Sequence, residues 1–507
     1  MTTNTYDEIP YPSLVYADTH PGRLATLATL FGLKPPSVAK CRVLELGCGD
    51  GTNLIAIAQS LPQASLWGID YSAKQIATGQ AVIEAIHLPN ITLKQLDLNE
   101  VDESLGKFDY IIAHGVYSWI PQEMQETVLS LIQQHLAANG IAYISYNIYP
   151  GWHTENIVRD MMMYHTQQLP DAPFHLSMMH AKGILQFLAN IRKQGNGAFD
   201  LLLQEKWQQL QAVPDNYLYH DLLEEENHPV YFHQFIKQAT QHRLAYVTDI
   251  EFRHYLMLSF PQQVVETFEE FFQGDFFKQE QYMDFFLNRT LRRSLLCHQD
   301  MSISRELDWK RLPECYIAAP PSLQPVGKED SEDSAQFKKA DGEIITIKHP
   351  LIKTAIRYLL SFYPHRISFE ALFKYACQQL PQSASDSALR ETFAKKLLRL
   401  YCLEAIELNI EPPPFVTTLG TYPTASPLAR FLAARGQQSL INLRCEFTNL
   451  SAIATVLLPH LNGQNNSQEL GTILTKMVKK QKIDKKLNAQ LEKALLEIAQ
   501  AALLVQS

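Results

Sequence analysis

Cysteine pairing is the first thing missing from this 507-residue chain. Cys41, Cys48, Cys297, Cys315, Cys377, Cys402 and Cys445 are scattered, and no two stand in a Cys-x-x-Cys. An odd, dispersed set argues against a disulfide framework or a structural zinc site and points to a reducing cytoplasm. The 17 histidines are dispersed as well, without a His-Glu-x-x-His, so no metal site is expected. No apolar run approaches the ~18–20 residues of a membrane helix. The stretch from Met1 to Pro10 lacks the basic and apolar regions of a signal peptide. A positive balance is lacking too: Lys+Arg is 44 against Asp+Glu 53, a net charge of −9. That excludes coating of nucleic acid or an anionic membrane as the main task. No Gly-Lys-Ser/Thr occurs, which excludes a P-loop.

The composition that remains is that of a folded protein, with 46% hydrophobic and 19% charged residues. At ~150 residues per domain the length suggests roughly three domains. Residues 1–38 are a lead-in rich in Pro and Tyr. From 42 to about 147 strand, turn and helix alternate. Strands are predicted at 42–46, 65–70, 91–96, 108–113 and 141–147. Helices are predicted at 52–61, 72–86 and 122–136, the last ended by Asn139-Gly140. This alternation predicts an α/β, doubly wound parallel sheet covered on both faces.

Beyond Gly151 the chain reads as mostly helical, with a return to the sheet at 244–248. The expected divisions are a core over 39–255 with a helical insertion at about 166–228, and a helical middle region over 215–310. A linker over 318–342 follows, then a winged-helix-like unit over 343–412 and a C-terminal helical domain over 413–507. Met161–Met163 and Met178-Met179 read as helix core, and the lysines of 476–486 as a solvated helix face.

The chemistry is concentrated in Val43-Leu44-Glu45-Leu46-Gly47-Cys48-Gly49-Asp50-Gly51-Thr52-Asn53. A strand runs into a G-x-G-x-G turn and a helix, so backbone amides face a ligand closely. The dinucleotide fingerprint is G-x-G-x-x-G, and its third glycine would fall on Thr52. Acids stand at Glu45, at Asp70 ending the second strand, and at Asp97 past the third. Three carboxylates around a glycine turn suit a ligand without phosphates that carries its own positive charge, and S-adenosylmethionine meets that description. Asp70 is assigned to the ribose hydroxyls, Tyr71 to the adenine face, and Asp97 with Leu98 to the adenine edge. Gly47, Cys48 and Gly49 approach the methionine moiety, and Glu45 orients the turn or the ammonium. Each has a structural alternative: Asp70 as a helix cap, Asp97 as a turn residue.

Residues 40–150 resemble a class I S-adenosylmethionine-dependent methyltransferase with a Rossmann-like core. Tyr6–Tyr11, Thr19–Pro21, His114–Pro121, Tyr146–Trp152 and Tyr217–Asn227 narrow the resemblance to methyltransferases carrying a methyltransferase regulatory domain, a family that includes bacterial protein-lysine methyltransferases. Where that family commonly has a double glycine before Asn, this chain has Gly51-Thr52-Asn53. The resemblance implies methyl transfer to a protein, with a lysine amine favoured. A small-molecule methyltransferase and a non-catalytic binding protein are the alternatives. Catalytic candidates follow the fourth and fifth strands: His114 (also beside the cofactor), Tyr117, Trp119 and Tyr146, with Asn147 and Trp152 nearby. His114 and Tyr117 equally suit a structural role in a buried turn, and Trp119 and Trp152 suit core packing better than a cage. Tyr6, Tyr11 and Tyr16 are expected to close over the cofactor as a lid. Nucleic acid is not an expected partner, and the helical insertion could pair two copies as a homodimer.

Overall fold

The computed structural model describes residues 5–169, 172–252, 257, 260–326, 334–379, 387–477 and 485–506. Among these, seven strands build the central sheet: Arg42–Leu46 (β1), Ser65–Asp70 (β2), Ile91–Gln95 (β3), Phe108–Ala113 (β4), Leu136–Asn147 (β5), Leu244–Asp249 (β6) and Leu291–His298 (β7). Their order is β3-β2-β1-β4-β5-β7-β6. Neighbours among β1 to β5 pair in parallel, and β7 runs antiparallel between β5 and β6. Val43, Leu44, Leu46, Ile111 and Ile112 are all buried, as strands covered on both faces require.

Short helices α1 (Thr5–Glu8) and α2 (Pro21–Leu30) precede the sheet, and α3 (Thr52–Ser60), α4 (Ala73–Ile86) and α5 (Gln122–His135) pack on it. Ser72 caps α4 by accepting from the Gln75 N–H at 3.1 Å. The strand order reverses between β1 and β4. A crevice opens there beyond the carboxyl ends of both strands, where open α/β sheets hold ligands.

After β5 come α6 (Gly151–Thr166), α7 (Phe174–Ile191), α8 (Ala198–Leu210) and α9 (Asp215–Leu222); α7 to α9 fall in the stretch 166–228 expected as a helical insertion, and α6 precedes it. The four helices have their own core around Met162, Met178, Leu185 and Leu203. The chain then returns through α10 (Phe232–Gln241) to β6, and α11 (Gln262–Phe272) and α12 (Phe276–Leu287) lead to β7.

Four features depart from the sequence reading. Strand β7 lies in the stretch expected to be a helical middle region, so the sheet ends at His298 rather than by residue 255. Its Arg292-Arg293 pair masks a strand, because Arg292 is buried by paired carboxylates instead of solvent. Helix α5 ends at His135 and β5 begins at once; Asn139-Gly140 sits within β5, where its pairing with β4 is irregular.

The expected linker 318–342 carries Gln324–Pro325 (β9) and Ala335–Lys338 (β10) and begins at the end of Tyr316–Ala318 (β8); residues 327–333 lie outside the described residues. Finally, the strands of 343–412 do not pair with each other. Ile344–Ile347 (β11) pairs with β10, while Ile367–Ser368 (β12) and Glu407–Asn409 (β13) flank β8. The helices of that stretch are α13 (Pro350–Ser361), α14 (Phe369–Gln378) and α15 (Ser387–Cys402).

The remainder contains α16 (Pro427–Ala434), a hairpin of Ser439–Ile441 (β14) and Phe447–Asn449 (β15), then α17 (Ala452–Leu457), α18 (Ser467–Met477) and α19 (Lys485–Gln500). Most of the 476–486 lysine run lies outside the described residues. Among the described residues no helix is long and apolar enough to cross a membrane.

Candidate active site

The turn after β1 is built for close backbone approach. Gly47, Gly49 and Gly51 all have positive φ, at 65°, 57° and 72°. That region costs an L side chain roughly 1–2 kcal/mol. Gly79 on α4 is small for a different reason: a Cβ there would lie 2.1 Å from the Asp50 carbonyl oxygen. Helix α4 can therefore press directly against the turn.

Asp70, at the carboxyl end of β2, ties the turn down. Its carboxylate accepts the Gly49 N–H at 2.8 Å on one oxygen and the Ser72 N–H at 2.8 Å on the other. Each oxygen keeps a lone pair for a further donor. Glu45 lies beneath the turn and is 4% exposed. Its Oε1 accepts from Asn53 Nδ2 at 2.8 Å, while Oε2 is buried without a partner. Burial pushes this carboxyl up to about 8, against the opposing Asn53 hydrogen bond.

Turn, Asp70 and Glu45 line one cavity of about 640 Å³. Cys48, Tyr71, Asp97, Leu98, His114 and Trp119 line it too. Of the residues singled out in the sequence, these are brought together. Asp97 Oδ1 also accepts the Asn99 N–H at 2.8 Å, so it serves the turn as well as the cavity wall. Tyr71 is 61% exposed at the rim. His114 contacts the Tyr143 hydroxyl at 2.8 Å through Nδ1, and the Tyr16 ring lies 3.8 Å from its own. Burial pushes His114 down to about 3, which leaves a neutral imidazole.

Tyr117 and Tyr146 are not part of the cavity wall. Tyr117 is fully buried, and its hydroxyl donates to Gln238 Oε1 at 2.7 Å. Tyr146 stacks on Phe235 at 3.9 Å, and its hydroxyl meets Ser294 Oγ at 3.0 Å. Both rings belong to the core between the sheet and α10. Strand alternation and the tight turn after β4 send these side chains to the other face. Asn147 binds Asn227 at 2.9 Å, and Trp152 packs edge-on to Trp119.

The N-terminal segment forms a strap over the cavity, with Tyr6, Tyr11 and Tyr16 in its lining. At the turn end, Ser13 donates to Asp50, and the Tyr16 N–H donates to Asn53 Oδ1 at 2.9 Å. At the other end the strap is fastened to α9. His220 Nε2 meets the Ile9 carbonyl at 2.8 Å, and Tyr6 stacks on the His220 ring at 4.5 Å. His220 and Asp221 of α9 complete the lining. The sequence reading did not assign these two residues. The available signal was Tyr217 and Asp221, which at i and i+4 share one helix face.

Three family profiles match the chain: "Methyltransferase domain" over residues 44–142, "Predicted methyltransferase regulatory domain" over 214–298, and "PKMT, C-terminal winged helix domain" over 421–503. The last falls on the stretch expected to be helical, beyond the 343–412 outline.

The uncharacterized protein RP028 of Rickettsia prowazekii is 39% identical over 235 residues, covering 46% of this chain and 93% of that protein. RP789 of the same organism is 38% identical over 338 residues, covering 66% of this chain but only 60% of RP789. Among solved structures, PKMT2 from Rickettsia typhi in complex with AdoHcy aligns with a TM-score of 0.85 at 27% identity. The alignment covers 98% of this chain and all of PKMT2 (100%).

Proposed function

Because the chain belongs to the S-adenosylmethionine-dependent methyltransferases that carry the methyltransferase regulatory domain, we propose that it methylates lysine amines of a protein substrate. The observation that carries this reading is the single cavity in which the Gly47–Gly49 turn, Asp70 and Glu45 face an aromatic wall of Tyr11, Tyr16 and Trp119. The likeness to PKMT2 along nearly the whole chain supports it.

The residues present fit S-adenosylmethionine. The buried, unpartnered Glu45 Oε2 calls for a cation such as the cofactor's ammonium. Asp70 keeps acceptor capacity for a ribose diol. The open side of Gly49, where a Cβ would meet nothing nearer than 3.7 Å, leaves room for the methionine moiety. Asp97, Leu98 and Tyr71 would flank the adenine. When bound, the cofactor supplies an electrophilic methyl group on a sulfonium centre.

The chain's own contribution is alignment, exclusion of water and management of the acceptor's proton. The strap covers the cavity and is fastened at both ends. The neutral His114 adds no second positive charge near a cationic cofactor. A lysine amine has a reference pKa of ~10.4, so deprotonation at pH 7 costs about 4.6 kcal/mol in water. Desolvation between aromatic rings lowers that cost. The same rings attract the ammonium before it loses its proton.

The test is incubation of the purified protein with methyl-labelled cofactor and whole-cell protein, followed by peptide mass spectrometry. Label on lysine side chains is expected. Label confined to low-molecular-weight material would overturn the protein-lysine reading.

A further inference from the structure

The cavity carries a further carboxylate beyond Glu45, Asp50, Asp70 and Asp97. Asp221 lines it from α9, inside the stretch that matches the regulatory-domain profile. Its carboxylate receives a hydrogen bond from the Tyr217 hydroxyl, and among the described residues no cation forms an ion pair with it. The neighbouring His220 is turned away, to Glu224 at 3.1 Å and to the Ile9 carbonyl. Tyr16 lies within electrostatic reach of both Glu45 and Asp221, and all three line the same cavity. A largely buried acid that opens onto a cavity beside tyrosine rings, with the adjacent His220 as a nearby positive influence but no ion pair among the described residues, suits a cation.

We propose that Asp221 is the acceptor-side carboxylate of the reaction: it draws the substrate lysine ammonium in between Tyr11, Tyr16 and Trp119 and removes one of its protons. This rests on the protein-lysine reading above. In the step itself the N–H bond breaks and its electron pair stays on nitrogen. The ammonium becomes a neutral amine with a free lone pair. The carboxylate becomes a neutral acid, which returns the proton to water. Burial pushes the Asp221 carboxyl up to about 6, closer to the range where a group at neutral pH can take a proton. The groups facing it are His220, which holds its pKa down, and Tyr217 on its own helix, Tyr6, Tyr11 and Tyr16 on the strap, and Glu155 on α6, itself paired with Lys206 at 2.5 Å. On this view the so-called regulatory region supplies a wall and a working group of the active site.

The test uses Asp221→Asn, which keeps shape and removes charge, with Asp221→Glu as the conservative control. Calorimetry with AdoHcy should give unchanged affinity for both variants, which establishes that they are folded. Titration of the AdoHcy-loaded protein with n-butylammonium chloride, followed by NMR, should show binding at least tenfold weaker in Asp221→Asn and near wild type in Asp221→Glu, as expected on loss of a charged contact. The pH profile of lysine labelling should move to higher pH in Asp221→Asn only. Unchanged n-butylammonium binding together with an unchanged profile would overturn the assignment of Asp221. A wild-type protein that takes up AdoHcy but labels no protein lysine at any pH would instead overturn the reading beneath it.

Discussion

The backbone N–H of Gly49 donates to the carboxylate of Asp70 at 2.8 Å, so the acid at the end of β2 holds the glycine turn in place before any ligand arrives. One residue thus shapes the cavity and keeps acceptor capacity toward it.

Asp70→Ala should therefore lose more than the ribose contacts, because the turn is released as well. Each hydrogen bond to a charged group contributes ~1.5–3 kcal/mol. Calorimetry with AdoHcy should register an affinity lower by at least about tenfold. Affinity within twofold of wild type would exclude Asp70 from the cofactor site.

Gly49 and Gly79 separate binding from folding. Gly49→Val places its side chain in open space at φ 57°, so the chain should stay folded at a cost of about 1–2 kcal/mol while AdoHcy binding is lost. Gly79→Val drives a Cβ against the Asp50 carbonyl at 2.1 Å and should strongly lower the thermal midpoint. Thermal unfolding and calorimetry on both variants give the comparison; equal behaviour would contradict the geometry.

Glu45 should make cofactor uptake proton-linked. Its carboxyl sits at about 8 in the ligand-free protein, above the ordinary carboxylate range. The folded state therefore holds a proton that the unfolded chain releases. Stability from this group is present at low pH and is lost as pH rises toward 8. A bound ammonium favours the charged form, so AdoHcy binding at pH 7 should release a proton. Calorimetry in buffers of different ionisation enthalpy measures that release, and Glu45→Gln should abolish it. A buffer-independent heat in the wild type would count against the contact.

Arg292 anchors α12 to the sheet. Its guanidinium meets Asp284 at 2.9 Å and Glu280 at 2.7 Å and lies 4.0 Å over the Phe232 ring, with no exposure. Arg292→Met takes the guanidinium from buried Glu280 and leaves Asp284 only Arg289 at 3.4 Å, and should destabilise by about 3–5 kcal/mol. Denaturant titration would check this; a loss below 1 kcal/mol would mean that the network behaves as a surface pair.

Tyr117→Phe and Tyr146→Phe should leave methyl transfer unchanged and each cost about 0.5–1.5 kcal/mol of stability, since their hydroxyls bond Gln238 and Ser294 rather than the cavity. Trp119→Ala, on the cavity wall, should lower turnover. A loss of turnover in either tyrosine variant at full stability would return it to the active site.

Much of the cofactor end was legible along the chain. The G-x-G-x-G turn, the acid two residues before it and the acids closing the next two strands are local signals, because a strand's end and the turn that follows it occupy the same place. The acceptor end was not legible. Tyr117 stands next to cavity residues in sequence and Tyr146 near the end of the neighbouring strand, yet both rings are packed into the core against α10. His220 and Asp221 stand far from the turn in sequence and reach it only because α9 folds back under the strap. Strand β7 was hidden for a related reason: Arg292 looks like a surface residue until Asp284 and Glu280 are seen beside it.

Hydrophobic periodicity, glycine placement and the acids at strand ends carried the alternating α/β order, the position of the glycine turn and the class of ligand expected there, since these depend on neighbours along the chain. Three-dimensional packing alone decided which aromatic rings see the cavity, that α9 brings His220 and Asp221 to its wall and that β7 joins the sheet. Those outcomes depend on side-chain direction and on burial of charge against distant partners, and no short stretch of sequence encodes either.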